Sequence, residues 1–366
     1  MRAFFQRALR FSDKWEMGSR LLFLILLMIS ASVQAEDPNP GDAFTEDASK
    51  MTLHIKKVVA DARKGFITTE DKTHLNYGIF GGPQTPPKPL VIVPGKGETL
   101  FTYGDMISKL MRDGFGPIYM MEPRSQGVSD RALPSRPNVI HIEDFKTYAK
   151  DTIEFIDGPV KRDLAARGIR TLPDMIAHSA GAAVAELAFD LRPDLFNRGY
   201  VSIGPLYGIR NGRMGEKTRK LILHVLSKSF LEEMVVDTRS EAPRGSVLEI
   251  ARNLEEQAQI STRYVTADWV HAAEEASETI LKDLAKNGRA GLIVVGRDEN
   301  VVSLDAIYNY RCQAQANGHT CGFEVISGNH SPHTSGKETP EELLALIKKQ
   351  FAEPSSRCYR EYSYLN

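Results

Sequence analysis

The pentapeptide Ala177-His178-Ser179-Ala180-Gly181 holds the residue best placed to do chemistry. It follows the apolar run Asp174-Met175-Ile176-Ala177 and precedes a stretch in which Val184, Leu187, Ala188 and Leu191 recur on one helical face. A buried strand running straight into an amphipathic helix must turn sharply, and small residues at 177 and 181 permit the turn. Such a turn lifts the Ser179 hydroxyl above the sheet and points it outward. The helix N-terminus behind it offers unpaired N–H groups and the positive end of a dipole, both suited to developing negative charge. A serine that merely caps a helix is the competing account. The strand-to-helix setting favours a nucleophile.

A serine nucleophile needs a base, and the base needs a carboxylate to orient it. Both are present downstream. The apolar run Leu292-Ile293-Val294-Val295 is followed by Gly296-Arg297-Asp298-Glu299-Asn300-Val301-Val302, and Phe323-Glu324-Val325-Ile326 by Ser327-Gly328-Asn329-His330-Ser331-Pro332-His333. Open α/β sheets build their sites just past the C-terminal ends of strands. His330 comes first after its strand and is the expected base; His333 packs under the loop or lines the pocket mouth. Asp298 and Glu299 are adjacent, and either could be the acid. Two amides must hold an oxyanion. Ala180, directly after the serine, supplies one. Lys96 supplies the other, in the turn Pro94-Gly95-Lys96-Gly97-Glu98 after the run Leu90-Val91-Ile92-Val93. That turn lacks the Gly-Lys-Ser/Thr ending of a phosphate loop. His330 and His333 come nearest to metal-ligand spacing, with no third ligand evident. The chemistry expected of these residues requires neither metal nor cofactor.

The elements that must position these groups are legible as short apolar runs without strict alternation, the mark of strands buried on both faces of a parallel sheet. Besides those named, they are Ile118-Tyr119-Met120-Met121 and Tyr200-Val201-Ser202-Ile203. Phe66 to Phe80 reads as two strands turning around Asp71-Lys72. Between the runs lie helical stretches such as Tyr148, Thr152, Phe155 and Ile156 on one face. Alternating strand and helix implies an α/β fold with a mostly parallel central sheet and helices on both faces. From Leu206 to Lys286 no buried strand is expected. The pattern there is helical at Lys217 to Val235, Ser246 to Gln259 and Asp268 to Ala285, which predicts an all-helical cap inserted after the sixth strand. Leu221, Ile222, Val225, Leu226 and Leu231 in that cap either line a substrate path or pack it onto the core.

The 366 residues are 42% hydrophobic and 25% charged, an ordinary globular balance. Lys and Arg number 46 against 47 Asp and Glu, so no basic excess points to nucleic acid. Five cationic residues (Arg2, Arg7, Arg10, Lys14, Arg20) precede the apolar run from Leu21 to Ala31, and Ser32-Val33-Gln34-Ala35 follows with small residues where a signal peptidase needs them. This predicts a secretory signal cleaved after Ala35 and an exported, periplasmic or secreted chain. An uncleaved inner-membrane anchor is the alternative, although the run falls short of the ~20 residues that span a bilayer. Residues 36–50 read as a polar linker. The expected division is a signal peptide at 1–35, core at 36–205, cap at 206–288, core again at 289–353 and a tail at 354–366. Of the three cysteines, Cys312 and Cys321 bracket a short polar loop and are the first candidates for a disulfide, with Cys358 left over; three unpaired thiols are the alternative.

With these residues in view, the chain resembles the α/β-hydrolase superfamily, and within it the lysophospholipase L2 and monoacylglycerol lipase group, which is also grouped with serine aminopeptidases. Pro94-Gly95-Lys96-Gly97-Glu98 is similar to the family's His-Gly-x-Gly-Glu loop, with Pro94 in place of His. Glu122-Pro123-Arg124-Ser125-Gln126-Gly127-Val128-Ser129 is similar to its Asp-x-Arg-Gly-x-Gly-x-Ser loop, and Ala177 replaces the first Gly of Gly-x-Ser-x-Gly. The resemblance runs from about Phe66 to Phe351 and is weakest in the cap. It implies Ser179 as nucleophile, His330 as base, and Lys96 and Ala180 as oxyanion donors. Its acid stands two residues before the paired valines, which selects Glu299 over Asp298. The implied substrate is a small lipid-like ester, a lysophospholipid or monoacylglycerol, and a transient membrane-surface contact is compatible with it. A peptidase, or a binding protein on the same fold, are the alternatives. Nothing in the sequence speaks to oligomeric state.

Overall fold

The computed structural model describes residues 46–82, 87–197, 199–210, 235–238, 242–284, 291–317, 321–336 and 338–352. In chain order the elements are α1 (Glu46–Asp61), β1 (Arg63–Thr68), β2 (His74–Phe80), β3 (Leu90–Val93), α2 (Gly104–Arg112), β4 (Ile118–Met121), β5 (Val139–Ile140), α3 (Phe145–Phe155), α4 (Lys161–Ala166), β6 (Asp174–His178), α5 (Ala180–Leu191), β7 (Tyr200–Ile203), β8 (Val235–Thr238), α6 (Val247–Gln257), β9 (Tyr264–Thr266), α7 (Ala267–Thr279), β10 (Gly291–Gly296), α8 (Leu304–Ala316), β11 (Cys321–Ile326) and α9 (Glu341–Ala352).

Among the described residues, eight strands form the central sheet in the order β1-β2-β4-β3-β6-β7-β10-β11. The hairpin β1–β2 joins β4 antiparallel, and every pairing from β4 to β11 is parallel. The continuous apolar runs have a simple cause: alternate side chains serve two different cores. Leu90 and Ile92, Ile118 and Met120, Ile176, and Leu292 and Val294 point to one face, where they meet Ile55 and Val59 of α1, Met106 of α2, Leu254 of α6 and Leu344 of α9. Val91 and Val93, Tyr119 and Met121, Met175, and Ile293 and Val295 point to the other, against Phe155 of α3, Leu187 of α5 and Ile307 of α8. Neither face reaches water, so neither strand pattern alternates with polar residues. This is the α/β-hydrolase architecture.

Helix α5 follows the serine and is buried from Ala180 to Phe189. Leu191, expected on its inner face, is 46% exposed because the helix ends there and leaves the core. The close packing of α5 on the sheet rests on Gly181: a Cβ there would lie 2.3 Å from the Val93 carbonyl oxygen and 2.5 Å from that of Pro94.

The segment inserted after the sixth strand of the central sheet departs from the all-helical expectation. Helices α6 and α7 lie close to their expected places, but β8 and β9 pair antiparallel, and β9 pairs parallel with β5 to make a three-stranded sheet. Val235, expected to end a helix, opens β8. Runs of three or four residues carry too few side chains to show a period, and the parallel partner of β9 lies more than a hundred residues upstream. The rest of the helix expected at Lys217 to Val235 lies outside the described residues, as do the signal segment 1–35 and the tail from 354. Residues 46–50 of the expected linker belong to α1, an amphipathic helix whose Ile55 and Val59 are buried. Cys312 and Cys321 form no disulfide with each other: Cys312 is exposed on the outer side of α8, whereas Cys321 is buried at the start of β11. Among the described residues no helix is long and apolar enough to cross a membrane.

Two substitutions test this description. Gly181→Ala will lower Tm sharply in thermal unfolding, because the clash is with backbone that cannot step aside. Asp174 sits at the start of β6, accepting a 3.1 Å hydrogen bond from the Gly199 N–H; burial pushes its carboxyl up to about 6. An acid with a raised pKa in the fold destabilises it once ionised, so Asp174→Asn will raise Tm at pH 8. The gain will shrink as pH falls below about 6 and vanish near the ordinary Asp range of about 4.

Candidate active site

Ser179 stands between β6 and α5 with φ 50° and ψ −119°, a backbone conformation that costs a non-glycine residue energy. Three backbone hydrogen bonds hold it there: the Ser179 N–H donates to Ile203 O at 2.9 Å, and Ser179 O accepts from Leu206 N–H and Ala182 N–H, each at 3.0 Å. The turn is thus tied both to its own helix and to the end of β7. Ser179 Oγ lies 2.8 Å from Nε2 of His330, in the loop after β11. His330 Nδ1 lies 2.8 Å from Oε2 of Glu299, in the loop after β10. A carboxylate only accepts, so the ring proton sits on Nδ1 and Nε2 turns its lone pair to the hydroxyl.

Glu299 is held on both oxygens. Oε1 accepts the N–H groups of Val301 at 2.8 Å and Val302 at 3.1 Å. Burial alone would raise its carboxyl, but His330 and these two amides hold it below the usual glutamate range, which keeps it ionised. Asp298, the other carboxylate left open by sequence, faces solvent. The Asp298 N–H donates to Gly328 O, which ties the two loops together by backbone. Gly204 makes room for the pair: at φ 48°, a Cβ there would sit 3.1 Å from His330 Nδ1 and 3.2 Å from Glu299 Oε2. Sequence reasoning read Gly204-Pro205 only as the start of the stretch leading into the cap and gave Gly204 no part in the site, although Gly-Pro after an apolar run marks a turn at the sheet edge.

Lys96 and Ala180 line one apolar cavity, together with Val93, Met121, Tyr148 and Phe155. Ala180 opens α5, where the first-turn amides have no partner within the helix. The Gly97 N–H donates to the Gln126 side chain, which fixes the Lys96 turn against the loop after β4. That loop is itself braced. Arg124 binds Asp151 through Nε at 2.7 Å and Nη2 at 2.6 Å, and reaches Asp71 in the β1–β2 turn at 2.7 Å. Its Glu122 accepts from Leu100 N–H, Val128 N–H and Asn76 Nδ2. From the inserted segment, Trp269 of α7 lies 5.7 Å from the Lys96 ammonium, measured to the ring centroid. The cap leucines and their neighbours at 221–231 lie outside the described residues.

Behind the serine is a second polar cluster that sequence reasoning missed. His178 Nδ1 is 2.9 Å from Glu98 Oε1, and His333 Nε2 is 3.3 Å from the same oxygen. Glu98 Oε2 accepts from the Gly95 N–H and the Tyr103 hydroxyl, each at 2.6 Å. His178 Nε2 lies 3.1 Å from the His330 carbonyl oxygen. Burial would raise the Glu98 carboxyl, but His178 draws it well below its usual range. Burial pushes His333 down, helped by the charge on His178. His333 is not at the pocket mouth: it is fully buried and stacks on Tyr103 at 5.0 Å.

A hydroxyl, an imidazole and an ionised carboxylate linked in this order, beside a helix N-terminus and an apolar cavity, are equipped for nucleophilic attack on a carbonyl. Comparison with known proteins agrees with the fold. The monoacylglycerol lipase of Paleococcus ferrophilus is similar at 18% identity and a TM-score of 0.58, over 76% of this chain and 98% of that one. A soluble variant of monoglyceride lipase from Saccharomyces cerevisiae, in complex with a substrate analog, is similar at 16% identity and a TM-score of 0.61, over 82% and 96% of the two chains. A membrane phospholipase A described as a bacterial virulence factor is similar at 14% identity and 0.51, over 93% and 99%. No curated protein sequence matches. The family model described as serine aminopeptidase, S33, matches residues 84–328, a span that includes Ser179, Glu299 and the Lys96 turn and ends just before His330. The chain belongs to this serine aminopeptidase S33 family of α/β hydrolases.

Proposed function

We propose that this α/β hydrolase cleaves carboxylic esters of a lysophospholipid or monoacylglycerol through an acyl-enzyme on Ser179. The observation that carries the reading is the unbroken relay from Ser179 Oγ through the His330 ring to Glu299, with 2.8 Å at each link. Ser179 attacks the ester carbonyl as His330 Nε2 takes its proton, and Glu299 stabilises the imidazolium that forms. The Lys96 and Ala180 amides receive the oxyanion. Collapse of the tetrahedral adduct breaks the ester C–O bond, and the imidazolium protonates the departing alcohol. Water, deprotonated by the same ring, then attacks the acyl-serine and releases the acid. The apolar lining beside the oxyanion donors, with Val93, Met121 and Phe155, suits a hydrocarbon acyl group. The reading includes export on the strength of the leader at 1–35. The family's own description favours a second reading, hydrolysis of aminoacyl amides, on the same relay.

A fluorophosphonate probe will label the wild-type protein and leave Ser179→Ala unlabelled; labelling of the variant would move the nucleophile to another serine, and no labelling of the wild type would leave a binding protein. Glu299→Gln, which keeps the shape and removes the charge, will reduce kcat about 10³-fold, whereas Asp298→Asn will stay near wild type. A larger loss in the second would reverse the assignment of the acid. Turnover of monoacylglycerols and lysophospholipids will exceed that of aminoacyl amides of matched leaving group, and the opposite ranking would favour the peptidase.

A further inference from the structure

The Glu98, His178 and His333 cluster contains more donor capacity than the protein uses. His178 is 3% exposed, Glu98 4% and His333 0%. Nδ1 of His178 and Nε2 of His333 both lie close to Glu98 Oε1, yet neither meets hydrogen-bond geometry with it or with any other described atom. A buried polar atom without a partner requires a reason. Three imidazole nitrogens in the cluster are orphaned in this way, and the two nearest the carboxylate oxygen lie with it within 4.8 Å of one another.

We infer that Glu98 Oε1, His178 Nδ1 and His333 Nε2 form a site for one divalent cation of the Zn2+ type. All three atoms lie within 4.8 Å of one another. Tetrahedral zinc, with bonds of about 2.0–2.1 Å, sets neighbouring ligand atoms roughly 3.3 Å apart. The two contacts to Glu98 Oε1 are 2.9 and 3.3 Å. Two imidazoles and a carboxylate are the donor set that suits zinc with one position left for water. The supporting shell is in place for two of the three ligands, while His333 Nδ1 has no partner among the described residues. Metal-bound imidazoles hand their other ring N–H to a carbonyl or carboxylate, and His178 Nε2 faces the His330 carbonyl oxygen at 3.1 Å. A ligating carboxylate is normally held on its second oxygen, and Glu98 Oε2 accepts from Gly95 N–H and Tyr103 OH. A ligating imidazole nitrogen carries no proton, so cation binding would release any proton held at His178 Nδ1.

None of the three ligand atoms belongs to the relay, although His178 directly precedes Ser179 and its ring lies 5.0 Å from that of His330, centroid to centroid. The site joins the turn after β3, the last residue of β6 and the loop after β11, which are the three pieces that carry Lys96, Ser179 and His330. The ion is therefore a staple beneath the relay, and its presence is independent of which ester is cleaved.

Zn2+ alone, titrated into chelator-treated full-length protein by calorimetry, will bind at one ion per chain and raise Tm by several degrees. Glu98→Gln and His333→Gln will each weaken binding at least tenfold. His74→Gln, in an exposed pair with Asp130, will leave it unchanged. Co2+ in the unmodified protein will show the intense visible bands of a four-coordinate ion, a readout that needs no variant to fold. Failure to bind one ion per chain, or a six-coordinate Co2+ spectrum, overturns the proposal. So does full-affinity binding by a folded His333→Gln, or loss of binding in His74→Gln. These measurements do not involve hydrolysis, so they stand or fall apart from the proposed activity.

Discussion

Everything in the site depends on one residue being held where its backbone does not want to be. Ser179 at φ 50° costs about 1–3 kcal/mol. The three backbone hydrogen bonds around it, at about 0.5–1.5 kcal/mol each, are of the size needed to offset that. They can form only because two neighbouring glycines leave space: Gly181 lets α5 start against the carbonyls of Val93 and Pro94, and Gly204 lets β7 end beside His330 and Glu299. The turn at Ser179 is thus a property of three strands and not of the pentapeptide. Ala177 in place of the usual glycine is accommodated because its small side chain is fully buried among the core residues of the α5 face.

The electrostatics of the site follow from this crowding. Two buried carboxylates flank the serine strand: Glu299 toward β10, held ionised by His330 and two backbone N–H groups, and Glu98 toward β3, held ionised by His178 and His333. Glu299 orients the ring that meets the hydroxyl. Glu98 sits on the far side of His178 and holds the turn that carries Lys96. The His330 carbonyl, facing His178, joins the two systems through backbone alone. Negative charge is kept on both sides of the strand and away from the cavity where an oxyanion would form.

Much of the frame was legible because the parallel strands bury both faces, and a run such as Leu90-Val91-Ile92-Val93 can be little else. The order of serine, acidic loop and histidine was legible for the same reason, since each follows such a run. The choice between Asp298 and Glu299 was legible only through the family resemblance, because it depends on which side chain a two-residue turn directs inward. The strands β5, β8 and β9 were hidden by length: Val139–Ile140 has no period to detect. Cys312 and Cys321 were misjudged as partners because closeness in sequence says nothing about burial: Cys312 is exposed on its helix, whereas Cys321 is buried in the core that the same helix covers. Glu98, His178 and His333 were unreadable as a group. They come from two loops and the end of β6, separated by 80 and 155 positions, and only the sheet order β3-β6-β7-β10-β11 brings them together.

The pairing of β5 with β9 has a consequence for how this chain can change. The inserted segment looks like a self-contained block added between two core strands, the kind of piece that recombination exchanges between relatives. Yet its strand β9 draws its parallel partner from Val139–Ile140, laid down before the serine is reached. A donor insertion grafted at 206–290 would arrive with an unsatisfied strand edge and leave another on the core. Segment 139–140 and the insertion are therefore one structural unit, and its boundary is not the boundary that the sequence shows.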